Sequence, residues 1–162
     1  MIRLSASPVL EVFLQRLEQQ PDRFRDVLFV APFLEFQPGR SQDRWRRILT
    51  ALCAANTIVR IVTRERGTAA HGQNVMIFNQ TVPSRKALFL PELHAKLYVA
   101  VGRDKRRSLG LLTSANLSDA AISANLETSM FLEPPYQDSE IAHLDKMQQL
   151  GDLIFRRASI KR

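Results

Sequence analysis

Apolar residues in the first half of the chain recur with two different periods. They follow helical spacing over residues 9–19 and 41–55, and we expect Ser41 to cap the second helix. Residues 26–32 and 57–63 are short runs rich in apolar and β-branched residues, which are typical of buried strands. The order of helix, strand, helix and strand predicts an α/β sheet with helices packed on its faces.

The second half of the chain predicts a β-hairpin between shorter elements. A polar, basic turn over residues 102–107 separates two apolar runs, and Pro91 should divide the first run into two parts. In chain order we predict a short helix, two hairpin strands, a turn entering another short helix, a strand and a long amphipathic helix, over residues 69–78, 88–101, 108–113, 114–124, 126–132 and 137–158. Asn116 or Ser118 is the expected cap of the second short helix. The long helix should turn six apolar residues inward: Ile141, Leu144, Met147, Leu150, Leu153 and Ile154.

Length and composition indicate one domain. No repeat or low-complexity linker interrupts the 162 residues, so we expect a single domain over residues 1–162. Hydrophobic residues make up 45% of the chain, which is enough for a core without disulfides. No apolar run reaches the roughly 18 residues that a membrane-spanning helix needs, and the first residues lack the apolar stretch of a secretory signal. We therefore expect a cytoplasmic protein with no membrane partner.

The charge balance favours an anionic partner. Lysine and arginine number 23 against 16 acidic residues, a formal net charge of +7, which suits DNA or RNA. Candidate contacts to a phosphate backbone are Arg103 and Lys105 in the basic turn, and Arg44, Arg46 and Arg47 in the second helix, although each run would also suit a solvated face. The single cysteine, Cys53, lies in an apolar helical stretch and is interpreted as a small core residue.

The candidate chemistry lies around the predicted hairpin. His94 and Lys96 are two residues apart on a predicted strand, so they should project from the same face. Antiparallel pairing should bring Ser114 and Asn116 beside them. A histidine can act as nucleophile or acid near neutral pH, a lysine supplies positive charge, and hydroxyl and amide groups donate to phosphate oxygens. Glu127, on the next predicted strand, could accept a hydrogen bond from the second imidazole nitrogen.

These motifs, HAKLYV at 94–99, TSANLS at 113–118 and NLE at 125–127, resemble the signature of the phospholipase D superfamily. The chain is most similar to its small branch with one motif per chain, which contains nucleases. The resemblance implies a phospholipase D-like mixed β-sheet flanked by helices on both faces. Two positions depart from the signature: Val101 stands where many members carry Asp, with Asp104 out of register, and Thr113 stands where many carry Gly.

The resemblance also implies a mechanism and a partner. Members need two motifs per active site, and neither His71 nor His143 has the required spacing; both are interpreted as surface or helix-face histidines. A homodimer with two His94 side chains in one shared site is therefore implied. One His94 would form a phosphohistidine and the other would protonate the leaving oxygen, while Lys96, Asn116 and Ser114 bind the phosphate and Glu127 holds the histidine. No metal and no cofactor are implied.

Three functions are open at this level. The first is a metal-independent nuclease acting on DNA or RNA. The second is a lipid-directed phospholipase D-type hydrolase or transferase, for which Phe33 to Phe36 would be a candidate apolar rim. The third is a non-catalytic nucleic-acid-binding subunit of a larger helicase-type machine. The joint presence of His94, Lys96, Asn116 and Glu127 favours catalysis, because binding alone would not need all four.

Overall fold

A seven-stranded mixed β-sheet forms the centre of the computed structural model, which describes residues 2–3, 9–123 and 129–160. The strands are β1 (Ile2–Arg3), β2 (Phe24–Val30), β3 (Leu34–Glu35), β4 (Ile58–Thr63), β5 (Leu88–Phe89), β6 (Leu97–Gly102), β7 (Leu109–Thr113), β8 (Leu117–Ser118) and β9 (Ser129–Leu132). The order across the sheet is β1-β9-β7-β6-β2-β4-β5, and β3 and β8 pair separately. The helices are α1 (Val9–Gln19), α2 (Arg40–Ala54), α3 (Ala69–Thr81), α4 (Asp119–Ser123) and α5 (Asp138–Ile160).

Strand directions place several strand ends together. β2, β4 and β5 are parallel, whereas β6 is antiparallel to β2, and β7 and β9 continue the antiparallel pairing. As a result β2, β4 and β7 end where β6 and β9 begin. We call this side of the sheet the carboxyl end. Loops that leave or enter these strands meet there, although they are distant in sequence.

Two apolar clusters cover the two faces of the sheet. On one face, α1, α2 and α3 pack through aromatic side chains, with Phe29 contacting Phe13 and Trp45 edge to face. On the other face, α5 packs through Leu144 and Met147. The predicted α/β sheet with helices on both faces is thereby confirmed. Cys53 is partly buried and packs against the first cluster, and this burial raises the pKa of its thiol.

The orientation of α5 differs from the amphipathic prediction. Leu150 and Leu153 were expected inside but are 43% and 63% exposed. Gly151 and Gly110 explain the difference, because a Cβ on Gly151 would lie 2.7 Å from Leu28 Cδ2 and one on Gly110 would lie 2.7 Å from Met147 Sδ. The two glycines, one in α5 and one in β7, let helix and sheet approach closely. The buried face of α5 is therefore the face that contains Gly151 and contacts Gly110, rather than the face with the largest apolar residues.

Arg60 ties α5 to the sheet. Its guanidinium donates to Asp26 on β2 at 3.0 Å and to Asp152 on α5 at 2.8 Å, and it lies over the Phe155 ring. The Arg60 side chain is only 12% exposed, so this pairing is shielded from solvent. A largely buried arginine with two carboxylate partners is well satisfied in both charge and hydrogen bonding.

Two local predictions were wrong, wholly or in part. Helix α2 begins at Arg40 after Gly39, whose φ of 95° lies in the left-handed region that favours glycine, so Ser41 is not the cap. The run over 88–101 is divided near Pro91 as predicted, into β5 and β6, but residues 90–96 form a loop between them, so the second part is shorter than expected. The stretch Phe33 to Phe36 is no apolar rim, because Leu34 and Phe36 are buried in the core. Among the described helices, none is long and apolar enough to cross a membrane.

Candidate active site

His94 and Lys96 lie in the loop that enters β6 at the carboxyl end of the sheet. The strand begins at Leu97, so the predicted strand position of His94 is wrong. Leu90 and Leu93 are buried and hold this loop across the strand ends, since the Leu90 N–H donates to Thr63 O at 2.9 Å. His94 is left exposed, and the Lys96 ammonium donates to the His94 carbonyl at 3.4 Å. The imidazole is therefore open to solvent, with a cation close to its backbone.

The turn that carries Ser114 and Asn116 lies next to this loop. The Thr113 N–H donates to Lys96 O at 3.2 Å, which extends the β6–β7 pairing by one residue beyond Leu97 and Leu112. Residues 114–116 therefore continue past Lys96 on the side of His94. The predicted hairpin, and its consequence that this turn arrives beside the His94 loop, agree with this pairing.

Buried hydrogen bonds fix the shape of the turn. The Tyr98 hydroxyl donates to Ala115 O at 2.8 Å, and the Ala115 N–H donates to Thr113 Oγ1 at 3.1 Å. Thr113 Oγ1 also lies 2.6 Å from Ser129 Oγ at the start of β9. Asn116 Oδ1 is buried with no hydrogen-bond partner in the part of the chain that the structure describes. The Asn116 amide is thus half-buried at this end without being committed to a structural bond through that oxygen.

Arg64 is a residue of this site that the sequence analysis did not identify. It follows β4, and its Nε donates to Leu93 O at 2.8 Å while its guanidinium lies over the Phe33 ring, 5.4 Å from the centroid. Its Nη2 lies 2.9 Å from His94 Nε2 and 3.1 Å from His94 Nδ1. The only sequence signal was an arginine directly after a predicted strand. Nothing local connects it to a histidine thirty positions away.

His71 supports this arrangement from inside the core. It is 1% exposed, and its Nδ1 accepts a hydrogen bond from the Leu34 N–H at 3.0 Å. Because Nδ1 accepts, the proton of the neutral ring is on Nε2, which donates to Arg64 O at 2.9 Å. The interpretation as a helix-face histidine holds, with the face buried. His143 lies exposed on α5, with Nδ1 at 2.7 Å from Ser139 O.

Two predicted substrate contacts lie elsewhere. Arg103 and Lys105 follow β6 at the end of the sheet opposite to the carboxyl end, roughly 20 Å from His94 at ~3.3 Å per strand residue. The Arg103 guanidinium donates to Asp22 O at 2.9 Å and to Ala55 O at 2.7 Å, and the Lys105 ammonium pairs with Asp145 at 2.8 Å. These two residues do not join the group around His94.

The remaining predicted residues divide between the described and undescribed parts. Ser114 is exposed in the turn. Glu127 lies outside the described residues, so its predicted contact with His94 stays a prediction. In the second helix, Arg44 pairs with Glu11 at 2.6 Å and with Glu18 at 2.9 Å, which commits it to helix packing. Within residues 2–3, 9–123 and 129–160, no three His, Cys, Asp or Glu side chains are grouped so that they could share a metal ion.

Comparison with known proteins identifies the fold. No protein-family model matches the chain, and no curated protein sequence is significantly similar to it. Among solved structures, NucT from Helicobacter pylori superimposes with a TM-score of 0.60 at 16% identity, over 92% of this chain and 94% of NucT. Nuc from Salmonella typhimurium, a phospholipase D family member, superimposes with a TM-score of 0.50 at 18% identity, over 82% of each chain. The chain has a phospholipase D-like fold, as the motifs predicted.

Proposed function

We propose that this protein is a metal-independent nuclease, a phosphodiesterase that cleaves nucleic-acid backbones through His94. The observation that carries the proposal is the pairing of Thr113 with Lys96, because it brings the turn of Ser114 and Asn116 beside the loop of His94 and Lys96. An imidazole, an ammonium, an amide and a hydroxyl then come from two adjoining loops at one end of the sheet. This set combines a nucleophile with donors for phosphate oxygens. The phospholipase D-like fold supports the same reading.

The proposed reaction has two displacements at phosphorus. In the first, a ring nitrogen of one His94 forms a bond to phosphorus while the bond to the leaving oxygen breaks, and a second, protonated His94 gives its proton to that oxygen. In the second, water attacks phosphorus, its proton goes to the second histidine, and the phosphorus–nitrogen bond breaks. Lys96 and Asn116 stabilise the negative charge on the non-bridging oxygens throughout. Glu127 is proposed to orient the attacking ring.

The second histidine is proposed to come from a second copy of the chain. His71 is buried, with both ring nitrogens bonded to backbone groups, and His143 lies on the exposed side of α5. The sequence holds three histidines in total, so one chain offers only His94 to the reaction. A two-fold axis near His94 would supply the missing group and double the number of lysines and asparagines.

A nucleic-acid substrate is preferred over a lipid. The net charge of +7 favours a polyanion. The apolar stretch that would have formed a lipid-facing rim is largely buried, with Leu34 and Phe36 in the core. A non-catalytic role beside a helicase-type partner is the outcome that remains if the protein binds nucleic acid without cleaving it.

The decisive experiment is cleavage in the presence of EDTA. Single- and double-stranded DNA, RNA and a generic phosphodiester are incubated with the wild-type protein, with His94→Ala and with His143→Ala as the matched control. We expect EDTA-resistant cleavage by the wild type and by His143→Ala, and none by His94→Ala. Activity that survives in His94→Ala, or that needs a divalent metal, would refute the mechanism. Release of a lipid headgroup in place of nucleic-acid cleavage would refute the substrate class.

Two further variants test the phosphate contacts. Lys96→Ala and Asn116→Ala should each lower kcat by about 10² to 10³, the usual cost of removing one donor to a developing oxyanion, with an unchanged melting temperature. Lys146→Ala, which removes an exposed lysine on α5, should keep full activity. Full activity in Lys96→Ala or Asn116→Ala would show that the assigned role is wrong. A strictly monomeric protein that is active at assay concentration, measured by light scattering, would exclude the shared site.

A further inference from the structure

Arg64 is held in place by contacts that leave most of its donors available. Its Nε is committed to Leu93 O at 2.8 Å, and the Phe33 ring supports the guanidinium from one side. The backbone from which the side chain extends is fixed as well, because His71 donates to Arg64 O. Within the described part of the chain, Arg64 forms no ion pair with a carboxylate and Nη1 makes no hydrogen bond. A half-buried, positively charged fork thus lies beside His94 with no anionic partner among the described residues.

The contact between Arg64 and His94 is poorly directed. The two imidazole nitrogens flank one carbon, so a donor that lies 2.9 Å from one and 3.1 Å from the other is in front of that carbon or over the ring. It is therefore on the lone-pair axis of neither nitrogen, and hydrogen bonds weaken steeply away from that axis. A phosphate oxygen offers a charged acceptor with broad directionality, which a guanidinium binds more strongly than it binds an imidazole.

Arg64 lies within reach of a phosphate that approaches His94. A nucleophilic ring nitrogen must approach phosphorus to about 3 Å, which places the non-bridging oxygens within a few ångströms of the atoms around that nitrogen. Arg64 Nη2 is already within 3.1 Å of both ring nitrogens. Guanidinium is planar, always charged and forked, and it suits bidentate binding of phosphate.

We propose that Arg64 is a further phosphate-binding residue of this site, which turns from His94 to a non-bridging oxygen of the substrate while Leu93 O and Phe33 keep its guanidinium in place. This inference rests on the proposed phosphodiesterase function. It adds a contact from the residue that follows β4 to those of the two loops already described, and it frees the ring nitrogens of His94 when the phosphate arrives.

The test uses Arg64→Gln and Arg64→Lys, with Arg66→Gln as the matched control. Arg66 is exposed two residues further along, so its loss changes the net charge by the same amount without touching His94. One readout is binding of inorganic phosphate by calorimetry, which needs no turnover, and the other is kcat and KM for EDTA-resistant cleavage. Arg64→Lys keeps the positive charge, so it still tests the role of the guanidinium if Arg64→Gln fails to fold.

We expect Arg64→Gln to weaken phosphate binding at least tenfold and to lower kcat/KM by about 10², with Arg64→Lys in between, because lysine keeps the charge but lacks the planar fork that binds phosphate in a bidentate manner. Arg66→Gln should keep phosphate binding and kcat/KM within about twofold of the wild type, because the contribution of an exposed charge is small. Equal losses in Arg64→Gln and Arg66→Gln, or no loss in Arg64→Gln, would overturn the inference. If the wild type cleaves no substrate, the proposed function fails, and phosphate binding by the Arg64 variants still decides the role of Arg64.

Discussion

The Tyr98 hydroxyl offers a sharp test of how the turn at 114–116 is held. Tyr98 is fully buried, and its hydroxyl donates to Ala115 O at 2.8 Å. Tyr98→Phe removes this donor and keeps the ring contacts with Phe13 and Phe29, whose centroids lie 6.0 and 6.3 Å away. A buried carbonyl that loses its partner costs about 1–3 kcal/mol. We expect the free energy of unfolding to fall by about that amount.

The same change should lower activity by more than the loss of folded protein would explain. The lost bond anchors the turn that carries Ser114 and Asn116, and a displacement of about 1 Å in an active site can cost about 10² in rate. We therefore expect kcat to fall by about 10- to 100-fold in Tyr98→Phe. The fall should persist at temperatures where the variant is fully folded, because its cause is the position of the turn.

Tyr136→Phe is the matched control. The Tyr136 hydroxyl also donates to backbone carbonyls, those of Ser108 and Leu132, but at the other end of the same strands. Burial raises the pKa of Tyr136, so its hydroxyl stays a protonated donor in any ordinary buffer. The two variants thus remove the same chemistry at opposite ends of the sheet, and only one end carries the proposed site.

Urea unfolding with midpoint and m-value gives the stability of each variant, and steady-state cleavage in EDTA gives kcat and KM. Both variants should lose stability, and Tyr98→Phe alone should lose activity. If Tyr98→Phe retained the stability of the wild type, the buried bond would not matter as argued. If both variants lost the same fraction of activity, the turn would have no special link to the site.

Further predictions concern stability. Gly67→Ala should lower the free energy of unfolding by about 1–3 kcal/mol, because the new Cβ would lie 2.5 Å from the His71 ring, which two hydrogen bonds hold in place. A thermal melt that matches the wild type would contradict this. Gly72→Ala, in the interior of α3 with nothing within 4 Å of the new Cβ, should instead stabilise by about 0.5–1 kcal/mol in the same melt. Arg60→Ala leaves the two carboxylate partners of Arg60 unpaired and should lower the free energy of unfolding in urea by about 3 kcal/mol. A loss below about 1 kcal/mol would mean that solvent screens the pairs.

Much of the architecture could be predicted because it depends on near neighbours in the chain. The period of apolar residues indicated α1, α2 and α5 and the strands β2, β4, β6 and β7, and the basic turn indicated the β6–β7 hairpin. The hairpin alone fixes which residues face each other. That is why the sequence alone predicts the turn with Asn116 beside Lys96.

Burial patterns failed where packing partners were remote. The predicted inner face of α5 followed the largest apolar residues, including Leu150 and Leu153, which are exposed. The true face follows the close approach at Gly151 and Gly110. A helical period of apolar residues predicts that the helix has an apolar face. The element that packs against the helix decides which of its residues are buried.

The sequence by itself determined the chemical groups and the local order in which they occur: an imidazole and an ammonium two residues apart, then a hydroxyl and an amide one hairpin arm later. Only the tertiary structure decided that His94 leaves the strand for a loop and that Arg64 lies against it, with Phe33 and His71 behind. The contacts of Arg64 with His94 and Phe33 join residues some thirty positions apart, because strands distant in sequence end together, and hydrophobic periodicity carries no information about such distant pairs.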